Sequence, residues 1–165
     1  EIYNGHPLVN NLGGGGSPGA EELWDAVLSS GKAVYGVADD DSHYFKRIGD
    51  PAAPTPGQGW IYVRAADLSP SSILEALRSG NFYASTGVEL LDYQADEKQI
   101  TVSVKGLANS KYNVRFIGKN GRTLADVPST TATYKFNGDE GYVRAKIVES
   151  NGKTAWTQPV SIGRK

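Results

Sequence analysis

Past Gly87 the sequence carries no further helical repeat, and this change of pattern limits the fold more than any other feature. Short alternating runs recur instead, at Val88–Gln94, Gln99–Lys105, Tyr112–Ile117, Thr131–Phe136, Tyr142–Glu149 and Ala155–Ile162. They are divided by Lys105-Gly106, Lys119-Asn120-Gly121, Asn137-Gly138-Asp139 and Asn151-Gly152. Asn-Gly between β-rich runs is a strong hairpin signal, because both residues tolerate the positive φ that a tight hairpin turn needs. Six or seven short strands at this spacing predict a small antiparallel β-sandwich over residues 88–165.

The first 87 residues follow a different pattern. Ser17-Pro18 supplies an N-cap and a first helical position, and Ala20, Leu23, Trp24, Val27 and Leu28 recur on one face up to Gly31. The spacing predicts a helix over 18–30. Ser69-Pro70, Ile73, Leu74, Leu77 and Gly80 predict a second over 70–79. Between them, 33–38 is a continuous apolar run, as expected of a strand covered on both faces. Trp60–Ala65 reads as a further strand, and Asn81–Gly87 as a short extended segment. Strand end, helix and strand make a βαβ unit. Residues 1–87 are therefore expected to form an α/β domain. Glu1-Ile2-Tyr3 already reads as the end of a strand, which predicts that the chain is part of something longer.

The apolar run ends abruptly in Asp39-Asp40-Asp41-Ser42-His43. In α/β folds the carboxyl ends of strands are where sites are built. In extended backbone, Asp41 and His43 point to the same side, so an oxygen and an imidazole can face one metal ion. The same residues also fit a solvated acidic loop in which Asp39 or Asp40 caps a turn. His6, in Asn4-Gly5-His6-Pro7, reads either as a surface turn or as a group on the same sheet edge that orients a metal ligand or faces substrate. The long Pro- and Gly-rich stretch 44–59 follows directly. Gly13–Gly16 precedes a helix, but has neither the lysine of a Walker loop nor the glycine spacing of a dinucleotide fingerprint. Trp156, Tyr112, Tyr134 and Tyr142 read as core residues, with a sugar-stacking face as the other reading.

Composition narrows the chemistry. There is no cysteine, which excludes disulfides, thiolate nucleophiles and Cys-ligated zinc. With two histidines, His6 and His43, the chain cannot build a histidine-rich cage. A formal net charge of -1 gives no reason to expect a nucleic-acid partner, and no apolar run approaches the roughly 20 residues of a membrane-spanning helix.

Taken in order, Glu1–Pro7, Leu23-Trp24-Asp25, Gly36–His43, Gly59–Ala65, Ile73–Gly80 and Phe82–Gly87 resemble the PHP (polymerase and histidinol phosphatase) superfamily, in its carbaryl-hydrolase-like branch. The trailing Ala155-Trp156-x-x-Pro159 is similar too. The resemblance implies the C-terminal part of a distorted (β/α)7 barrel with an appended sandwich. It also implies hydrolysis of phosphoesters or other small esters with divalent zinc, manganese or iron. Its late Asp-x-His motif matches Asp41 and His43, which the resemblance makes metal ligands; Asp39 and Asp40 become candidates for orienting those ligands from behind, and no catalytic residue is assigned. The family's opening His-x-His pair and its further ligands are missing from this chain. The resemblance therefore implies a parent hydrolase whose isolated C-terminal part is inactive and whose metal occupancy is doubtful. It would need the N-terminal part of the barrel as its partner, or would self-associate over an exposed apolar face. The competing expectation is a non-catalytic binding or interaction module.

Overall fold

The computed structural model describes residues 1–163. Its order is β1 (Tyr3–Asn4), α1 (Ala20–Ser29), β2 (Ala38–Asp39), β3 (Trp60–Val63), α2 (Pro70–Arg78) and β4 (Phe82–Ser85), then β5 (Leu90–Ala95), β6 (Gln99–Val104), β7 (Tyr112–Gly118), β8 (Arg122–Val127), β9 (Thr131–Lys135), β10 (Gly141–Glu149), β11 (Thr154–Thr157) and β12 (Val160–Ile162). The central sheet runs β3-β4-β11-β10-β7-β8, with β12 on β10, and every pairing in it is antiparallel. A second antiparallel sheet, β5-β6-β9, lies over one face in a sandwich-like arrangement. Val102, Val114, Phe116, Val143, Ala145 and Ile147 fill the space between them, each fully buried.

The other face of the central sheet is covered as well. Ile2, Trp24, Leu28 and Ala38 pack there against Ala84, Tyr142 and Trp156. Strand β10 shows why both faces can be buried, since successive side chains point to opposite sides. Val143, Ala145 and Ile147 enter the sandwich core, while Tyr142, Arg144 and Lys146 meet α1.

That second face carries a buried ionic cluster. Arg144, only 1 % exposed, donates from Nε and Nη2 to the two carboxylate oxygens of Asp25 at 2.8 and 2.7 Å. Its Nη2 also reaches Glu21 at 3.1 Å, Tyr142 donates its hydroxyl to Asp25 at 2.7 Å, and Lys146 pairs with Glu21. The guanidinium stacks over the Trp24 ring at 4.8 Å. A charge removed from water this completely is tolerated because it is paired on several sides.

The structure corrects the barrel expectation. Among the described residues there is no (β/α) barrel, and the parallel pairing is confined to β1 and β2, two residues each, with Asn4 opposite Asp39. Two sets of contacts explain this. The part of the apolar run over 33–36 lies outside the ladder. Val34 accepts from the Trp24 indole at 2.8 Å, and the Gln158 amide clamps both the N–H and the C=O of Gly36 at 2.8 Å. Gly36 is required there, because a Cβ would stand 2.9 Å from Trp24 and 3.0 Å from Ile2. Ala33, Val34 and Tyr35 are consequently exposed rather than covered. Secondly, the α2 excursion closes on itself. Arg64 N–H bonds to Asn81 C=O at 2.8 Å, so β4 starts where β3 ends and must run back antiparallel. A helix between two strands suggested a parallel crossover; the short loops make it a hairpin with a helix in its connection.

Other differences are smaller. α1 starts at Ala20 with Gly19 as N-cap, because Ser17 is held in a two-way backbone bridge with Gly14. The Glu22 carboxylate accepts the Gly19 N–H instead. α2 keeps its expected cap, with Ser69 Oγ accepting Ser72 N–H. β8 forms the unforeseen half of a hairpin with β7, joined through Asn120 and Gly121 at φ 61 and 69°. The ladder β4–β11 runs across the expected boundary at 87–90, tying the first part of the chain into the sandwich sheet.

Removing Asp25 leaves the buried Arg144 with Glu21 as its one carboxylate and the Tyr142 hydroxyl without its acceptor. Asp25→Ala is expected to cost about 3–5 kcal/mol in a urea unfolding curve, whereas exposed pairs such as Arg115–Asp126 contribute about 1 kcal/mol or less. Burial alone would raise the Glu21 carboxyl, but the Arg144 and Lys146 cations beside it outweigh this and hold it below the ordinary 4.5. A depressed folded value stabilises above the unfolded value and is lost as pH falls through the folded one. Stability should therefore drop below about pH 4.5, and Glu21→Gln should flatten that acid limb in a pH series of unfolding curves.

Candidate metal half-site

The carboxyl ends of β1 and β2 place Asn4 and Asp39 side by side. The Gly5 N–H bonds to Asp39 C=O at 2.9 Å and continues the pairing by one step. Beyond it both strands turn away, and the side chains of Glu1, Asn4, His6, Asp39, Asp41 and His43 gather at this edge.

Asp41 stands at the turn. Its φ of 46° lies in the left-handed region, which costs a non-glycine residue conformational energy and is concentrated at functional sites. The extended spacing expected for Asp41 and His43 is therefore absent, yet the two side chains still meet. His43 Nε2 lies 2.9 Å from Asp41 Oδ1. The second carboxylate oxygen, Oδ2, accepts from Asn4 Nδ2 at 3.2 Å. The Asn4 hydrogen bond, followed by that of His43, holds the Asp41 carboxyl below the usual carboxylate range.

Asn4, which in the sequence reads only as part of the Asn4-Gly5 turn, is the hub. Buried to all but 8 %, it also donates to Glu1 Oε1 at 3.1 Å and accepts the His6 N–H at 2.8 Å. Its own backbone is held from both sides by the Asn11 amide, at 2.8 Å each. The usable signal was register: Asn4 ends one strand exactly opposite the acidic end of the next.

The His6 ring stands edge-on to His43, with centroids 5.6 Å apart. Its Nδ1 accepts the Leu8 N–H at 3.1 Å, so a neutral His6 carries its proton on Nε2. His6 in this state offers a donor, not a metal ligand, which suits the substrate-facing reading of this residue. Asp40 is turned to another purpose. Its Oδ1 accepts the N–H groups of Gln58 and Gly59 at 2.6 and 2.8 Å and closes the long loop 44–59. The start of that loop is fixed by Pro54 C=O, which accepts from both His43 and Tyr44 at 3.0 Å.

The Glu1 carboxyl is raised by its hydrogen bond to Asp39, by burial and by the Asp39 charge. Asp39 Oδ1 is buried with no hydrogen-bond partner among the described residues. A buried aspartate oxygen without a partner, beside a second carboxyl group, fits a position where a cation would be favourable. The donor set, an aspartate oxygen with an imidazole nitrogen about 3 Å away, suits zinc, manganese or iron(II). Among the described residues, however, no three His, Asp or Glu side chains converge closely enough to hold an ion. The residues present thus fit one edge of a metal site.

Asp40→Ala should release the loop, not the metal edge. The Gln58 and Gly59 amides would lose a charged acceptor, a loss of about 2 kcal/mol, and should exchange with deuterium faster while the Asn4 amide keeps its protection.

No protein-family model matches this chain, and no curated protein matches it.

Proposed function

We propose that this chain contributes part of the divalent-metal centre of a hydrolase acting on phosphoesters or other small esters, with Asp41 and His43 as two of the ligands. The observation that carries the reading is the convergence of Asp41 Oδ1 and His43 Nε2 at 2.9 Å, with the second carboxylate oxygen fixed by a buried asparagine. A proton now holds that nitrogen and oxygen together; an ion bound by both would take its place. The resemblance to PHP hydrolases supports the choice of these two residues.

When bound, the metal supplies hydroxide near neutral pH and polarises the ester oxygen. The chain's own residues have distinct parts. Asn4 orients Asp41 and keeps it ionised. His6 presents Nε2–H beside His43, where it can donate to an anionic substrate oxygen. Asp39 and Glu1 add negative charge behind the ligand pair and favour a cation over an anion there. Asp40 keeps the 44–59 loop closed over the carboxyl end of β2.

Two ligands are one short of the three that a catalytic zinc normally takes from protein. The remaining ligands come from a further polypeptide segment, and the isolated chain is expected to bind metal weakly and to turn over no ester. Exposed apolar groups flank the half-site, Leu8 at 88 %, Phe45 at 65 % and Ile48 at 71 %, which is consistent with such a segment covering it.

Mn2+ added to the isotope-labelled chain should broaden the His43 and His6 ring signals before any others. Asn4→Ala should weaken this about tenfold through loss of ligand orientation, and the Asp41→Ala, His43→Ala double variant should abolish it. Broadening centred elsewhere, or unchanged in the double variant, would sink the reading.

A further inference from the structure

Away from the half-site, a cleft of about 520 Å³ opens between β3–β4 and β5. Its volume lies within the range of small-ligand sites, about 300–1,000 Å³. We infer that this cleft is a binding subsite for a neutral saccharide.

Tyr35, Tyr62, Phe82 and Tyr83 are among the residues that line it. Tyr62 and Tyr83 are cross-strand partners, and their rings stack at 4.8 Å and 17°. Tyr35, 38 % exposed, stands edge-on to Phe82 at 5.8 Å. It lies directly against Gly80, where a Cβ would be 2.6 Å from the ring. The exposed stretch 33–35, left out of the β2 ladder, thus places one of its side chains at the edge of this cleft.

A polar, charge-paired set of side chains also lines the cleft. Arg64 Nη2 donates to Asp92 Oδ1 at 2.8 Å, and Gln94 Nε2 donates to Asp92 Oδ2 at 2.7 Å. Glu89, also at the cleft, is neutralised by Lys105 at 3.0 Å. Among the described residues, neither an anion nor a cation meets an uncompensated partner here. Hydrogen-bonding capacity nevertheless remains. The guanidinium has donors beyond the one given to Asp92, and the Gln94 amide keeps its carbonyl oxygen. The Tyr83 hydroxyl accepts the Leu90 N–H at 2.9 Å, which leaves its own O–H free to donate. Burial pushes Tyr83 up to about 12, so that proton stays in place at neutral pH.

Saccharides match this combination. A pyranose presents an apolar C–H face to an aromatic ring and a rim of hydroxyls that both donate and accept. Stacking faces with a neutral rim of amide, guanidinium and carboxylate groups recognise both features at once. A purely apolar ligand would leave the Arg64–Asp92–Gln94 set poorly matched.

The test is an amide chemical-shift titration of the whole chain with glucose, galactose, mannose, maltose and cellobiose, and with adenosine and benzoate as non-sugar probes. At least one sugar should give saturable shifts centred on Tyr62, Arg64, Tyr83 and Gln94. Tyr35→Ala and Gln94→Ala, both at partly or fully exposed positions, should each weaken that sugar about tenfold while the remaining spectrum keeps its dispersion. The proposal is overturned by absence of saturable shifts with every sugar, by shifts centred elsewhere, by unchanged affinity in both variants, or by adenosine or benzoate binding the cleft more tightly than any sugar.

Discussion

The buried guanidinium of Arg144 is the interaction on which the arrangement of this chain depends. It sits on the central strand β10, points away from the sandwich core, and satisfies two carboxylates of α1. Without it, Asp25 would be a buried charge facing a β-sheet, and α1 could not lie where it does. Because α1 lies there, Trp24 reaches the backbone of Val34, and β1 and β2 are brought together beneath it. The pairing of Asn4 with Asp39, and so the gathering of Asp41, His6 and His43, is a consequence of how the helix docks on the sheet. Hydrophobic burial fills the two cores, but it is non-directional; the ionic cluster is directional and selects this docking.

The half-site and the cleft are built from the same departure from regular structure. The apolar run before Asp39 does not extend a sheet, because Gln158 and Trp24 take up its backbone groups. At one end it delivers the strained turn at Asp41. At the other it leaves Tyr35 beside Gly80. A regular six-residue strand would have hidden Tyr35 and carried Asp41 and His43 straight on, with their relation set by the pleat. Here it is set instead by Asn4 and by Pro54.

Much of the local structure is legible in the sequence and much of the topology is not. The two helices, the Ser69 cap and most strands of the second half follow from periodicity and turn chemistry, which are local. The barrel expectation failed where the decisive contacts are distant in sequence: Gln158 clamping Gly36, Arg144 holding Asp25, Arg64 closing onto Asn81. Trp156, Tyr112 and Tyr142 are buried in the cores, and Tyr134 is half-buried against Phe116. For the site, the Asp-x-His pair stood out because few residue types ligate metals. Asn4 did not, because an Asn-Gly dipeptide is read first as a turn, and its role appears only once β1 lies beside β2.

The claim at the centre is that Asp41 and His43 are two ligands of one metal ion. Crystals of the chain soaked in Zn2+ or Mn2+, with data collected at the metal absorption edge, test it most directly. The account predicts an anomalous peak about 2.0–2.2 Å from both Asp41 Oδ1 and His43 Nε2, with Asn4 still bonded to Oδ2. A peak on either residue alone, a peak elsewhere, or an intact Asp41–His43 hydrogen bond in the presence of metal would contradict it.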